Sequence, residues 1–263
     1  MNIRPIGVFD SGVGGLSVLR ELHKILPNED YIFLADQAYI PYGGKTKQQL
    51  IERSCRIADY FVSQSVKMIV VACNTATCYA LDALRKKYNL PFIGTVPAIE
   101  SACEQTQSKV IGVVSTPATS RSKTVKNFII ACGPKIKIIN IGCSGLEDAV
   151  ENGNLKSPAI KKLLNTYLLP IKKSKADCLV LGCTHYPFLK NNIIKIFDRP
   201  IALIDSGPAI AQRAKKLLSH GKIMNKHSRK GRTVYFTTGD GKKFSVAASS
   251  LLKHSVKGYK VKI

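Results

Sequence analysis

The chain has 263 residues, of which 45% are hydrophobic and 22% charged, a composition that suits one large or two medium-sized domains with buried cores. No apolar run approaches the length of a membrane span and no signal peptide precedes the first strand-like segment, so we expect no membrane segment and a cytoplasmic location. The formal charge of +23 would suit a nucleic-acid partner, but the basic residues are spread widely without a recognisable nucleic-acid-binding motif, which favours a general lysine bias.

Hydrophobic patterning in the first 97 residues alternates strands with helices. The predicted strands lie at 5–10, 31–35, 69–73 and 90–95, and the predicted helices at 17–26, 47–64 and 76–88. Proline and glycine residues mark 40–46 as a loop. Strands and helices that alternate in this way are typical of parallel βαβ units.

A glycine-rich turn, residues 11–17, joins the first strand to the first helix. Such a turn leaves backbone N–H groups at a helix N-terminus, where a carboxylate or a phosphate binds well. The spacing is not Gly-x-Gly-x-x-Gly and no Walker lysine follows, so nucleotide binding has little support. A tight turn alone would explain Gly14 and Gly15, but it would not explain Asp10 and Ser11 at the end of the strand.

Three segments of the second half repeat segments of the first half in the same order and with similar spacings. The strand-like segments at 110–116, 179–183 and 199–205 parallel those at 5–11, 69–73 and 90–96. We therefore predict an α/β protein of two similar domains, each a mostly parallel sheet flanked by helices, related by pseudo-two-fold symmetry. The predicted limits are 1–97 and 98–207, and 208–263, with a strand at 233–237, is expected to return to the first domain.

Two cysteines each end an apolar run and are followed at once by residues that form hydrogen bonds; the two segments are Cys73-Asn74-Thr75 and Cys183-Thr184-His185. In open α/β sheets the chemistry lies at the carboxyl ends of the strands. Two like domains that face each other would place the thiols on opposite walls of a cleft, where one removes a proton from a substrate carbon and the other returns one to the opposite face. Such thiols need a pKa lowered by donors, cations or a helix N-terminus.

Four motifs carry a family resemblance: Asp10-Ser-Gly-Val-Gly-Gly-Leu, Pro41-Tyr-Gly, Ala72-Cys-Asn-Thr75 and Leu181-Gly-Cys-Thr-His-Tyr-Pro187. In this order and spacing they resemble the glutamate racemases of bacterial peptidoglycan synthesis. The resemblance implies an isomerase that interconverts L-glutamate and D-glutamate in a cleft between two α/β domains, with no cofactor and no metal. It implies glutamate as the partner, without a membrane or nucleic acid, and allows a homodimer.

The same resemblance assigns roles to individual residues. Cys73 and Cys183 are the two acid/base residues, one for each enantiomer; Asp10 would assist Cys73, whereas His185 and Glu151 would act near Cys183. The implied glutamate-binding positions are Asp10, Ser11, Tyr42, Gly43, Asn74, Thr75, Thr184 and His185. One departure precedes Glu151: Gly142-Cys-Ser144 replaces the family's Ala-Cys-Pro, and a serine in place of the proline loosens the loop that places this carboxylate.

Other interpretations of these residues remain open. Cys73 and Cys183 could be buried structural thiols, or each could bind zinc within a Cys-x₄-Cys pair, with Cys78 and Cys178 respectively, although the second pair brackets a strand. His185 could be a structural histidine, Asp10 a helix cap and Tyr42 a loop-packing residue.

The alternative functions are an aspartate racemase, a cysteine hydrolase and a basic nucleic-acid-binding module. A pyridoxal-phosphate enzyme is disfavoured, because no lysine stands out in a suitable context. Without an export signal, the eight cysteines are predicted to be reduced, with Cys103 and Cys178 in the core.

Overall fold

The computed structural model describes residues 3–225 and 228–263. Contacts between Cα atoms divide the chain into two compact units, one formed by the residues up to Thr95 together with Gly207–Ile263 and the other by Val96–Ser206. No helix among the described residues combines the length and the apolar character that crossing a membrane requires.

The described residues form ten strands and eleven α-helices. The strands are β1 (Ile6–Asp10), β2 (Tyr31–Ala35), β3 (Met68–Val71), β4 (Phe92–Gly94), β5 (Val110–Ser115), β6 (Lys137–Gly142), β7 (Cys178–Leu181), β8 (Ala202–Asp205), β9 (Thr233–Thr237) and β10 (Gly258–Lys260). The helices are α1 (Leu16–Ile25), α2 (Lys47–Ser63), α3 (Asn74–Lys87), α4 (Ile99–Gln105), α5 (Pro117–Arg121), α6 (Lys123–Ala131), α7 (Leu146–Glu151), α8 (Pro158–Lys172), α9 (Lys190–Ile194), α10 (Gly207–His220) and α11 (Gly241–Leu252). Short 3-10 turns lie at Val13–Gly15, Gln37–Tyr39, Tyr42–Gly44 and Tyr186–Leu189.

The first unit is built on a parallel sheet with the strand order β10-β9-β2-β1-β3-β4. Strands β1, β2 and β3 are buried along their whole length, as expected for parallel strands covered by helices on both faces. Gly7 in β1 allows close packing, because a Cβ there would lie 3.0 Å from the ring of Phe61 on α2. The C-terminal segment contributes β9, which pairs with β2 from Tyr31 opposite Thr233 onwards.

The second unit repeats the plan with a parallel sheet in the order β6-β5-β7-β8. Its core includes Ile111 and Val113 of β5 and Val180 of β7, packed against Ile99 of α4 and Val125 of α6. In each sheet, the strand that leads to a candidate cysteine lies between the first strand of its unit and an edge strand: β3 between β1 and β4, and β7 between β5 and β8. The prediction of an α/β protein with two parallel, helix-flanked sheets is confirmed.

Most predicted element limits differ from the structure by one to three residues, and one difference affects the site. The helix predicted to begin at Ala76 begins at Asn74, because Cys73 is its N-cap and the Cys73 sulfur accepts a hydrogen bond from the Ala76 N–H. Asn74 and Thr75 therefore lie in the first turn of α3 rather than in a loop.

The prediction that all eight cysteines are reduced is wrong for one pair. Cys103, in α4, and Cys132, at the C-cap of α6, form a disulfide. The two helices pack together, which brings the Cα atoms within 6.2 Å although 29 residues separate the cysteines in sequence. Cys103 is half-buried at the edge of the apolar cluster, whereas Cys178 is buried within it.

Candidate active site

Cys73 lies at the junction between strand β3 and helix α3 and is only 5% exposed. Its sulfur accepts the Ala76 N–H at 3.5 Å, and its thiol donates to the Ser11 hydroxyl oxygen, with 3.8 Å between Sγ and Oγ. The positive end of the helix dipole and a backbone N–H both favour a thiolate over a thiol. The local fold therefore places Cys73 where a cysteine can act as a base.

Asp10 ends strand β1 and has no exposed surface. Its Oδ1 accepts the Ser11 N–H at 2.7 Å and the Ser11 hydroxyl at 3.2 Å. The hydroxyl of Ser11 thus bridges the thiol of Cys73 and the carboxylate of Asp10. The predicted glycine-rich turn makes this possible, because a Cβ on Gly15 would lie 2.6 Å from the Asp10 Cβ.

Tyr42 is buried in the same unit and its hydroxyl donates to Asp36 Oδ2 at 2.7 Å. Burial and the negative charge of Asp36 hold the pKa of Tyr42 well above 10, so the phenol keeps its proton. Gly43 follows in the same 3-10 turn and is half-buried. Asn74 and Thr75 are buried at the start of α3. We call the set Asp10, Ser11, Tyr42, Cys73, Asn74 and Thr75 the first half-site.

Cys183 follows strand β7 after a single glycine and is 7% exposed. Its sulfur lies 3.6 Å from His185 Nδ1, and His185 Nε2 lies 2.7 Å from Glu151 Oε1, at the end of α7. Thr184, which lies between Cys183 and His185 in the sequence, is also buried. The structure thus brings His185 and Glu151, the two residues expected near this thiol, into one chain of contacts with it, despite the Gly142-Cys-Ser144 departure ahead of α7. We call the set Cys143, Glu147, Glu151, Cys183 and His185 the second half-site.

The electrostatics of this chain of contacts favour an ion pair. Burial alone would lower the pKa of His185, but its hydrogen bonds to Cys183 and Glu151 outweigh burial and raise the pKa well above 6.5. Burial raises the pKa of Cys183, and the adjacent His185 opposes that rise. An imidazolium between a thiol and a carboxylate can hold a thiolate on one side while the carboxylate fixes the ring on the other.

Three comparisons with known proteins agree. A model of the Asp/Glu/hydantoin racemase family matches residues 6–214. The glutamate racemase of Herpetosiphon aurantiacus is 39% identical over 245 residues, covering 93% of this chain and 96% of that protein. The glutamate racemase of Bacillus anthracis matches in structure with a TM-score of 0.91 at 30% identity, over 100% of this chain and 99% of that one. This chain belongs to the Asp/Glu/hydantoin racemase family.

A further racemase structure, that of Francisella tularensis in complex with D-glutamate, matches with a TM-score of 0.85 at 30% identity, over 100% of this chain and 98% of that one. The family resemblance inferred from the sequence motifs is therefore confirmed. Within the described residues of this racemase, no group of three or more His, Cys, Asp or Glu side chains is arranged to hold a metal ion.

Two features of this racemase site were missed from the sequence. Asp36, directly after β2, accepts hydrogen bonds from Arg53, Thr238 and Tyr42, and so fixes the Tyr42 side chain. Its position after a buried strand, like that of Asp10, was an available signal.

The second missed feature is a half-buried glutamate in the second half-site, Glu147. Glu147 Oε2 is buried and accepts no hydrogen bond from the described residues. The neighbouring thiol of Cys143 has a pKa raised to about 12 by burial and by the charges of Cys183 and Glu147. No sequence pattern distinguishes Glu147 from the exposed Asp148 beside it.

Proposed function

We propose that the protein is a glutamate racemase that interconverts L-glutamate and D-glutamate without a cofactor, with Cys73 and Cys183 as its two acid/base residues. The observation that carries the proposal is the pair of buried thiols, each of which follows the equivalent strand of its own parallel sheet. Each thiol contacts a side chain that can exchange a proton with it, Ser11 for Cys73 and His185 for Cys183. The named relatives are glutamate racemases, one of them in complex with D-glutamate, which supports glutamate as the substrate.

In the proposed reaction, one bound glutamate presents opposite faces of its α-carbon to the two cysteines. The thiolate of one cysteine takes the α-proton, and the thiol of the other donates its own proton to the opposite face. The first cysteine ends as a thiol and the second as a thiolate, so the enzyme is then in the protonation state that reacts with the opposite enantiomer. The α-proton of an amino acid is weakly acidic, so this reaction needs close positioning and a dry site as well as tuned bases.

The first half-site also offers a group for substrate binding. The Asn74 Nδ2 atom is buried and donates to no acceptor among the described residues. A buried donor left without a partner costs about 1–3 kcal/mol, which a ligand oxygen would recover. A carboxylate oxygen of glutamate is the acceptor we propose for it, next to the N-terminus of α3, where negative charge is favoured.

We further propose that the reaction takes place in the cytoplasm and supplies D-glutamate for peptidoglycan precursors. We also propose that the two compact units are the domains predicted from the sequence repeat. Proton exchange at Cα is the activity that these assignments require, and it can be measured directly.

The decisive experiment follows the Cα–H signals of L-glutamate and D-glutamate by proton NMR in D₂O, without added cofactor. It compares the wild type with Cys73→Ser, Cys183→Ser and the control Cys55→Ser, whose half-buried thiol lies in α2. We expect both glutamate enantiomers to lose the Cα–H signal and to racemise in the wild type and the control. Each of the other two variants should lose racemisation, since the reaction needs both cysteines.

The remaining outcomes separate the parts of the proposal. Exchange of L-aspartate, with none of glutamate, would retain the two-thiol mechanism and reject the substrate. Full racemisation by either Cys73→Ser or Cys183→Ser would reject the mechanism. No exchange with either amino acid would reject the racemase assignment.

A further inference from the structure

Helix α7 carries another glutamate one turn before the one that binds His185. Glu147 and Glu151 are four residues apart, so they lie on the same face of the helix. Helix α7 packs against α8 and against the 3-10 turn Tyr186–Leu189 that follows His185. Since Glu151 contacts His185 from this face, Glu147 lies on the side of α7 that borders the second half-site.

The surroundings of Glu147 are unfavourable for a carboxylate. Its Oε2 is shielded from solvent and accepts no hydrogen bond from any described residue. Burial raises the pKa of Glu147 above 4.5, although backbone N–H groups and the charge of His185 oppose the rise. Burial raises the pKa of Cys183, Cys143 and Tyr186, and the negative charge of Glu147 adds to each rise. The proposed catalytic scheme does not use Glu147. If this position served only the fold, an apolar side chain of similar volume would often give equal or greater stability.

We propose that Glu147 is a positioning residue whose negative charge limits how readily Cys183 becomes a thiolate. It would act through Cys183 without contacting the substrate. The inference deepens the proposed function, because it matters for catalysis only if Cys183 is a catalytic thiol.

The direction of the effect follows from the charges around Cys183. Burial raises the pKa of Cys183, the adjacent His185 opposes that rise, and the negative charge of Glu147 adds to it. The other titratable groups that interact with Glu147 are Cys143, Tyr186 and His185, with Asp148 and Glu151 on its own helix; Tyr167 of α8 acts on Tyr186. Glu151 is already committed to His185, and Asp148 is exposed to water. Glu147 is therefore the charge most able to oppose ionisation of the thiol.

Opposition of this kind suits a cysteine that must be a base in one direction and an acid in the other. Burial and the charge of Glu147 both favour the thiol of Cys183, which can donate a proton, whereas His185 favours the thiolate, which can accept one. The carboxylate of Glu147 shifts this balance towards the thiol. Removing its charge should therefore favour the thiolate, which helps when Cys183 is the base and hinders when it is the acid.

The test measures the pH dependence of iodoacetamide alkylation of Cys183 in the full chain. Alkylation is quantified by mass spectrometry of the tryptic peptide 176–190, in which fragment ions separate Cys183 from Cys178. The variants are Glu147→Gln, which removes the charge and keeps the shape, and Asp148→Asn, which removes a solvent-exposed charge from the same turn. Glu147→Asp, which keeps the charge, serves as a second variant if the glutamine variant does not fold.

We expect Glu147→Gln to shift the alkylation profile of Cys183 to lower pH by up to about one unit, which is up to about tenfold faster alkylation below the pKa. Glu147→Asp should give a smaller shift, and Asp148→Asn should leave the profile unchanged. In racemase assays of Glu147→Gln, the acid limb should move to lower pH in the direction where Cys183 is the base. In the reverse direction, the alkaline limb should move to lower pH.

Several outcomes would overturn the proposal. An unchanged profile for Glu147→Gln, a shift to higher pH, or an equal shift for Asp148→Asn would each exclude the proposed role. Alkylation is measured without turnover, so it reports on Glu147 even if glutamate is not the substrate. A shifted alkylation profile without any racemisation would uphold the effect of Glu147 on Cys183 and reject the proposed function instead.

Discussion

The two half-sites place a thiol at equivalent points of two similar sheets but surround it with different chemistry. Cys73 caps a helix and contacts a serine that is bonded to a buried aspartate. Cys183 contacts a histidine that is bonded to a glutamate. The first half-site stabilises negative charge on its thiol with a helix N-terminus and the Ala76 N–H, whereas the second does so with an imidazolium.

In the proposed racemisation, two unlike environments would support one reaction, each by setting its own balance between thiol and thiolate. A helix N-terminus and a hydroxyl have no charge that changes near neutral pH. An imidazolium does titrate, so the second half-site should respond to pH through His185 as well as through its thiol. Substitutions in the two half-sites should therefore affect opposite directions of the proposed racemisation.

The largest expected effect is that of His185→Asn. The asparagine keeps a polar group near Cys183 but has no positive charge, so we expect kcat to fall about 10²–10³-fold in the direction where Cys183 is the base. Alkylation of Cys183 at neutral pH should slow, whereas that of Cys73 should not change. His220→Asn, an exposed position on α10, is the control. Equal slowing of both thiols would show that His185 supports the fold rather than one half-site.

Asp10→Asn should slow the proposed racemisation in the opposite direction, where Cys73 is the base. The substituted amide would offer only a neutral acceptor to Ser11, which weakens the bridge to Cys73, and we expect a decrease in kcat of about 10–10²-fold where Cys73 is the base. Ser11→Ala, which removes only the bridging hydroxyl, should cost about 3–10-fold. Separate kinetics with each enantiomer measure both values. A larger loss of kcat for Ser11→Ala than for Asp10→Asn would contradict the proposal that Asp10 acts on Cys73 through the Ser11 hydroxyl.

Glu151→Gln should have a smaller effect that depends on pH. The pKa of His185 is raised partly by its bond to Glu151, so the variant should bring that pKa down and reduce kcat about tenfold. Because the pKa of His185 is higher in the folded protein than the 6.5 of the unfolded chain, protonated His185 stabilises the fold fully below pH 6.5. This stabilisation is lost as the pH rises through the pKa that His185 has in the folded protein. The difference in melting temperature between wild type and variant should therefore shrink in alkaline solution. A pH-independent difference would exclude the ion pair.

The sequence predicted the parts of the site that depend on local pattern. An apolar run that ends in a cysteine identified β3 and β7, and in parallel sheets the end of a buried strand is where side chains become available for chemistry. The predicted limits of β2 and β9 match the structure residue for residue. These features need only the neighbours in the chain.

Other parts of the site depend on contacts between distant residues and left no local pattern. Arg53 reaches Asp36 from α2, and Cys103 reaches Cys132 between two helices. Glu147 differs from its exposed neighbour Asp148 only in which side of a short helix faces the protein. Even the start of α3 was misplaced, because a cysteine that acts as a helix N-cap is not among the usual capping residues.

The smallest effect expected is that of Tyr42→Phe, which tests whether Tyr42 acts through its hydroxyl or by its position. The hydroxyl donates to Asp36, so its removal leaves a buried carboxylate with one donor fewer and should cost about 1–2 kcal/mol of stability. For a chain of this size we expect a decrease of about 2–4 °C in melting temperature. Tyr39→Phe, in the preceding turn, is the control. Since the Tyr42 proton is already committed to Asp36, kcat should change less than about twofold. A large loss of kcat at unchanged melting temperature would instead assign the hydroxyl to the substrate.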